Sequence, residues 1–206
     1  MSAHIMKGVR MGKPKYDQIL VAAYHLLATV NYQNMTTARI AEAAGVAEGT
    51  LYRYFKNKRQ LLFEVLKHFG DQIMEKIFQK VSPQQSYMQN LHHFADAFQD
   101  SLQRDIPFYR IMYKAFSELD DPEIFPALRD YFIAQLDKIR EVFEWSVQRG
   151  EITVDSADLD LIVQHLWGIA DGFMKRTILQ INLPIQQREI EFTLSLMQAA
   201  INKELQ

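Results

Sequence analysis

Between residues 35 and 58 the chain gathers hydroxyls, phenols and cations at close spacing: Thr37, Arg39, Thr50, Tyr52, Arg53, Tyr54, Lys56 and Lys58. Short hydroxyls and phenols can donate to phosphate oxygens, and a phenol can also stack on a sugar or a thymine methyl. Guanidinium and ammonium groups at the rims supply charge for a polyanion. Glu48 can accept from a cytosine amino group, or simply offset the dipole of an early helical turn. Taken singly, each residue has an ordinary reading. A threonine ahead of a helix is usually a cap, basic side chains usually decorate a solvated face, and aromatics at helical spacing usually pack. Phe55 is expected in the core, and Tyr52 divides between packing and contact. Charge distribution joins them. Residues 1–60 hold nine Lys or Arg against three Asp or Glu, a balance of +6, so within a net charge of -2 the remainder carries −8. A basic head on an acidic body suits a protein that meets nucleic acid with one end.

Other chemistries lack their residues. The absence of cysteine excludes disulfides and thiolate sites, and it fits a reducing compartment. No GxSxG, P-loop, HExxH or glycine-rich dinucleotide pattern occurs. His92 and His93 are adjacent, so on a helix they diverge by about 100° and make a poor metal pair. Neither enzyme activity nor a metal or cofactor is expected. The alternative of a helical enzyme or an interaction module that does not act through DNA must contend with the basic head. The longest nearly apolar run, residues 19–30, is shorter than the roughly 20 residues a bilayer requires. The start does not read as a secretory signal, so a cytoplasmic protein is expected. Residues 1–14 read as a flexible basic tail, with Met1, Met6 and Met11 each able to begin the chain.

Almost every segment has helical period, and the only alternating stretch, residues 151–154, is too short for a sheet. The fold class is therefore all-α: an N-terminal three-helix helix-turn-helix head over residues 15–60, then a helical-bundle body over 61–206. Residues 16–31 place Ile19, Leu20, Ala23, Leu26, Leu27 and Val30 on one stripe. Thr36 or Thr37 caps a short helix that ends at Gly45, and a second short helix follows over residues 47–55. Ala41 and Ala44 are small where the two would meet, and Val46 with Leu51 can plug the angle. The outer face of the second helix is then free to enter a major groove. Asn57 caps a long helix, Ser82-Pro83 breaks it, and further helices span 85–103, 108–117, 121–148, 156–180 and 184 onward.

The pattern Thr37-x-x-Ile40-Ala41-x-x-Ala44-Gly45-Val46-Ala47-x-Gly49-Thr50-Leu51-Tyr52-x-Tyr54-Phe55-x-x-Lys58-x-x-Leu61-Leu62 resembles the signature of TetR-like (tetracycline-repressor-type) regulators. The resemblance covers roughly residues 15–65 and implies a homodimer with two heads on successive major grooves of a palindromic operator. By position it assigns Thr37, Tyr52, Tyr54 and Lys58 to phosphates and Ala47, Glu48, Gly49 and Tyr52 to base edges, with Arg39 able to do either. Tyr54 stands where the family often has histidine. The resemblance also implies repression relieved by a small molecule bound in the body.

The body offers candidates for both tasks. Residues 156–180 and the last helix are each apolar on more than one side, which implies burial against the chain's own core and against another subunit. Leu159, Ile162 and Leu166 with Ile190, Leu194, Met197 and Ile201 are expected to form a four-helix isologous interface. An aromatic and methionine-rich set is expected to line an effector pocket. It comprises Phe94, Phe98, Tyr109, Met112 and Tyr113, and also Phe116, Phe132, His165, Trp167 and Phe173. His165, Asp171, Arg110 and Lys175 are its candidate polar anchors, and the effector would be apolar or aromatic. The long helix after Asn57 is the expected lever between effector and heads.

Overall fold

The computed structural model describes residues 14–181 and 184–202, which form nine α-helices and two 3-10 turns. Residues 1–13, most of the expected basic tail, lie outside the described part, and Pro14 opens α1 (Pro14–Thr29) at a first-turn position suited to proline. The chain divides into two compact units. One takes the residues up to Gln72 together with Pro107–Arg129, and the other takes Ile73–Ile106 with Asp130 onward. Each unit is thus discontinuous in sequence.

In the first unit α1 packs on α2 (Thr37–Ala43), and α2 on α3 (Glu48–Tyr52). Ile19, Leu20, Ala23 and Leu27 of α1 are fully buried, as are Ile40 and Leu51. Phe55, Leu61 and Leu62 complete this core at 0% exposure, each contributing on the order of 2 kcal/mol by burial. Thr36, not Thr37, caps α2, accepting from the Arg39 amide at 3.2 Å. The helix stops because Gly45 adopts φ +63. The Val46 amide then reaches the Ala41 carbonyl (2.9 Å) and the Gly45 amide that of Glu42 (3.0 Å), closing the last turn. That closure sets the tight bend into α3. Asn57 caps α4 (Lys58–Phe78) as expected, accepting from the Gln60 amide at 2.8 Å.

The same unit contains most of α6 (Ile106–Ala115) and a 3-10 turn at Phe116–Glu118. Pro107 falls in the first turn of α6, so the helix begins earlier than the proline suggested. Lys114 directs its ammonium to the end of α1, donating to the Leu27 carbonyl (2.5 Å) and the Val30 carbonyl (2.8 Å). Burial lowers its pKa below the usual lysine range, and the nearby Arg110 charge adds to this. Arg59 at the start of α4 pairs with Asp121 (3.0 Å) and Glu118 (3.5 Å).

In the second unit α5 (Tyr87–Arg104) packs on α8 (Ser156–Leu179) and α9 (Gln187–Ile201). A capping box between Ser86 and Gln89 starts α5. Gly150 at φ +69 closes α7 (Ile124–Gln148), and Gln180 at φ 57 closes α8. Pro184 precedes the last helix but does not open it; Gln186 caps α9, sharing a capping box with Glu189. Arg140 joins α7 to Asp160 of α8, and Arg176 of α8 makes a two-pronged pair with Glu189 of α9.

Candidate functional site

The geometry of the head presents the outer surfaces of α2 and α3 together. Arg39, Ala47, Glu48, Gly49, Tyr52, Arg53 and Lys56 are exposed, whereas Thr37, Thr50, Tyr54 and Lys58 are half-buried. Because Thr36 takes the capping role, the Thr37 hydroxyl is released for side-chain contacts. It donates to Glu48 Oε1 at 2.5 Å and lies 3.1 Å from the Tyr52 hydroxyl. A hydroxyl has one proton, so with that proton on Glu48 the Tyr52 phenol is the donor to Thr37. The result is a chain Tyr52 → Thr37 → Glu48 linking the start of α2 to both ends of α3. No cap uses the Ala47 side chain, and nothing stands within 4 Å of a Cβ placed on Gly49, so the first turn of α3 is open to an approaching surface.

The flanking cations differ from one another. Arg39 is anchored by its guanidinium to the Asn34 carbonyl at 3.1 Å. Lys58 turns inward: its ammonium donates to the Tyr32 carbonyl at 2.9 Å and sits 4.2 Å from the centre of the Tyr32 ring. Burial lowers its pKa, against the raising effect of Glu118. One of its three donors is spent, and two remain for an anion. The Tyr54 ring meets Tyr16 edge-on at 6.0 Å. Tyr16 in turn donates to Glu64 at 3.0 Å, and burial together with that carboxylate raises its phenol to about 12.

In the second unit, a cavity of about 500 Å³, counting space open to solvent, lies among α5, α8 and α9. Phe94, Phe98 and Phe173 line it, as expected from the sequence. The other seven expected residues do not line it. Tyr109 and Met112 are buried in the first unit, where Tyr113 and Phe116 pair edge to face, since α6 spends its aromatics on that core. Phe132 and Trp167 pack edge to face on each other, and His165 is exposed with Nδ1 at the Leu161 carbonyl. Of the expected polar anchors, Asp171 pairs with Lys175 at 2.6 Å. The actual walls are aliphatic. Leu91, Ala95 and Leu102 come from α5, Leu166 and Ile169 from α8, Ile190 and Leu194 from α9. Leu91, Ala95 and Leu102 recur at i, i+4 and i+11 along α5, a helical spacing that is legible in the sequence. Gln99 and Thr193 are the polar lining residues; one N–H of the Gln99 amide donates to the Ile185 carbonyl (2.8 Å) and the Thr193 hydroxyl to the Glu189 carbonyl (2.9 Å).

The stripe expected at a subunit interface is largely covered within the chain. Leu159, Leu166, Ile190, Leu194, Met197 and Ile201 are 4–8% exposed, and Ile162 is half-buried. Packing α9 against α5 within the chain consumes that stripe. The apolar residues left outside are Leu161 and Leu179 on α8, Ile181 after it, and Phe192 and Leu196 on α9, at 44–65% exposure.

Among the described residues no three His, Asp or Glu side chains are grouped to hold a metal, and no helix is long and apolar enough to cross a membrane. Two short helices at a steep, glycine-closed bend, with the outer one open to solvent, define a helix-turn-helix protein. Residues 19–65 match the family model described as "Bacterial regulatory proteins, tetR family". The fatty acid metabolism regulator protein of Bacillus subtilis (strain 168) is 39% identical over 69 residues, 34% of this chain and 36% of that one. The chain thus spans about a third of that relative's length. The nucleoid occlusion factor SlmA of Haemophilus influenzae (strain PittGG) is 24% identical over 179 residues, 82% of this chain and 78% of that one. The structure of the transcriptional regulator FadR from Bacillus subtilis in complex with stearoyl-CoA superimposes with a TM-score of 0.69 at 22% identity, covering 90% of this chain and 97% of that one. Residues 19–65 are thus similar to the head of TetR-family regulators, and the chain as a whole shares the fold of the solved FadR structure.

Proposed function

We propose that the chain is a sequence-specific DNA-binding transcriptional regulator, a homodimeric repressor released from a palindromic operator by a small apolar effector. The observation that carries this reading is the open face of α2 and α3, where Thr37, Glu48 and Tyr52 form one hydrogen-bonded group with Arg39, Arg53 and Lys56 exposed beside it. Thr37, Tyr52 and Lys58 contact phosphates, while Ala47, Glu48 and Gly49 approach base edges; Thr50 and Tyr54 support that surface. The protein works in the bacterial cytoplasm, at the nucleoid, and acts through DNA and not by catalysis.

The exposed residues Leu161, Leu179, Phe192 and Leu196 support pairing of α8 and α9 with a second copy. The cavity supports an apolar effector, since twelve of its fourteen lining residues are apolar and only Gln99 and Thr193 are polar. The FadR structure carries stearoyl-CoA, and an acyl effector suits the walls seen here. An effector of this kind releases DNA only by binding the DNA-incompetent state more tightly, with coupling typically ~1–3 kcal/mol.

The test is a gel shift on the intergenic DNA beside the gene, across a salt series. Specific retardation with a steep log–log salt slope supports the reading. Equal affinity for the intergenic fragment and random DNA overturns it.

A further inference from the structure

The second unit holds two apolar cavities set back to back. The larger, about 500 Å³, is the candidate effector site; the smaller, about 240 Å³, lies among Phe78, Val81, Ile139, Val142 and Phe143. Three side chains are common to both walls: Leu91, Phe94 and Leu166. Phe94 stands between two rings. It meets Phe78 edge-on at 5.5 Å on the side of the small cavity and stacks on Phe98 at 6.2 Å on the side of the large one. Asn90, the polar residue of the small cavity, is fully buried, and its amide group is committed at both ends to the Ser82 backbone, at 3.0 and 2.9 Å. The rest of the small cavity's lining is apolar.

We infer that Phe94 is a partition that sets the length of effector the protein accepts, and that the effector is an unbranched acyl chain. This inference rests on the reading of the larger cavity as the effector site. Two apolar cavities separated by a wall of three shared side chains suit a slender, flexible chain, which could pass from one to the other if Phe94 turned aside. A rigid fused-ring molecule has the right polarity for the large lobe but cannot pass the wall. With Phe94 in place, the chain ends in the large lobe. Each further methylene that enters an apolar lobe tightens binding about fourfold, and each one refused leaves that gain unrealised.

The test measures dissociation constants by isothermal titration calorimetry for homologous series of saturated fatty acids and of acyl-CoAs, so that free acid and thioester sources are told apart. The proteins are the full-length wild type, Phe94→Ala and Phe94→Trp. In the wild type, affinity is expected to rise with chain length and then level off or fall. Phe94→Ala removes six ring carbons, so the optimum moves to chains longer by roughly four methylenes. Phe94→Trp moves it to shorter chains. Circular dichroism and a melting curve establish the folded state of each variant before titration. If the wild type binds acyl chains but both variants keep its optimum, Phe94 is not a partition and the effector reading stands. If the wild type binds no member of either series, the acyl assignment fails with it.

Discussion

The hydrogen-bonded group on the head makes a quantitative demand on DNA binding. A phosphate oxygen that bonds to Thr37 Oγ1 at the usual O–H···O distance lies no farther than about 5 Å from a Glu48 oxygen that is itself 2.5 Å from Thr37. Two unit negative charges at that distance repel by about 1 kcal/mol in bulk water and about 3 kcal/mol at the lower effective dielectric of a protein surface. The Thr37 proton is also held by Glu48 and must be surrendered to the phosphate. Glu48→Gln keeps the shape and the acceptor for Thr37 while removing the charge, so it is expected to tighten binding to random duplex by about 1 kcal/mol, roughly fivefold. Because the repulsion is exposed, the gain shrinks as salt is raised through the range where the Debye length falls below about 10 Å. At the operator the gain is smaller, since a carboxylate that accepts from cytosine is lost together with the repulsion, and specificity falls. The assay is fluorescence anisotropy with operator and scrambled duplexes at several salt concentrations. Unchanged or weakened binding of Glu48→Gln to the scrambled duplex refutes the placement of phosphate at Thr37.

Three further outcomes are expected. Lys114→Met keeps the apolar stem but removes two charge-assisted bonds to the end of α1, and should cost roughly 2–4 kcal/mol in urea denaturation; a loss below about 0.5 kcal/mol makes the strut idle. Phe192→Glu should loosen a dimer by about 2 kcal/mol, about thirtyfold, in sedimentation equilibrium with the helical circular dichroism retained. Ile190→Glu, buried on the same helix, should unfold the protein instead, and a folded monomer from that variant counts against the inward placement of its stripe. The Tyr16 phenol is raised from 10.0 to about 12 by burial and by Glu64, so the fold favours its neutral form. Its contribution is complete below pH 10.0 and is lost as pH climbs towards 12, and alkaline melting curves of Tyr16→Phe should show a shallower decline than the wild type.

Much of the head was legible before any coordinates because its signals are local. Gly45 follows its helix by one residue, Asn57 precedes its helix by one, and Leu51 falls on the period of its own short helix. The choice between Thr36 and Thr37 was not legible, because either hydroxyl satisfies a first-turn amide and a single residue of register separates cap from contact residue. That register frees Thr37 to meet Glu48 and Tyr52. The inward bond of Lys58 has no local signal, because the Tyr32 carbonyl that accepts from it is 26 residues away in sequence, in a 3-10 turn.

By itself the sequence determined an all-helical chain, a steep helix-turn-helix with a basic surface, and a last helix carrying two apolar stripes. These follow from periodicity, caps and charge, whose range is a few residues. Only the tertiary structure decided which stripe of α9 is spent against α5 and which is left at the surface, because periodicity records that a face is apolar but not which partner covers it. In the same way it sent the α6 aromatics to the core of the first unit and left α5, α8 and α9 to enclose an aliphatic cavity, with Phe94 standing between its two lobes.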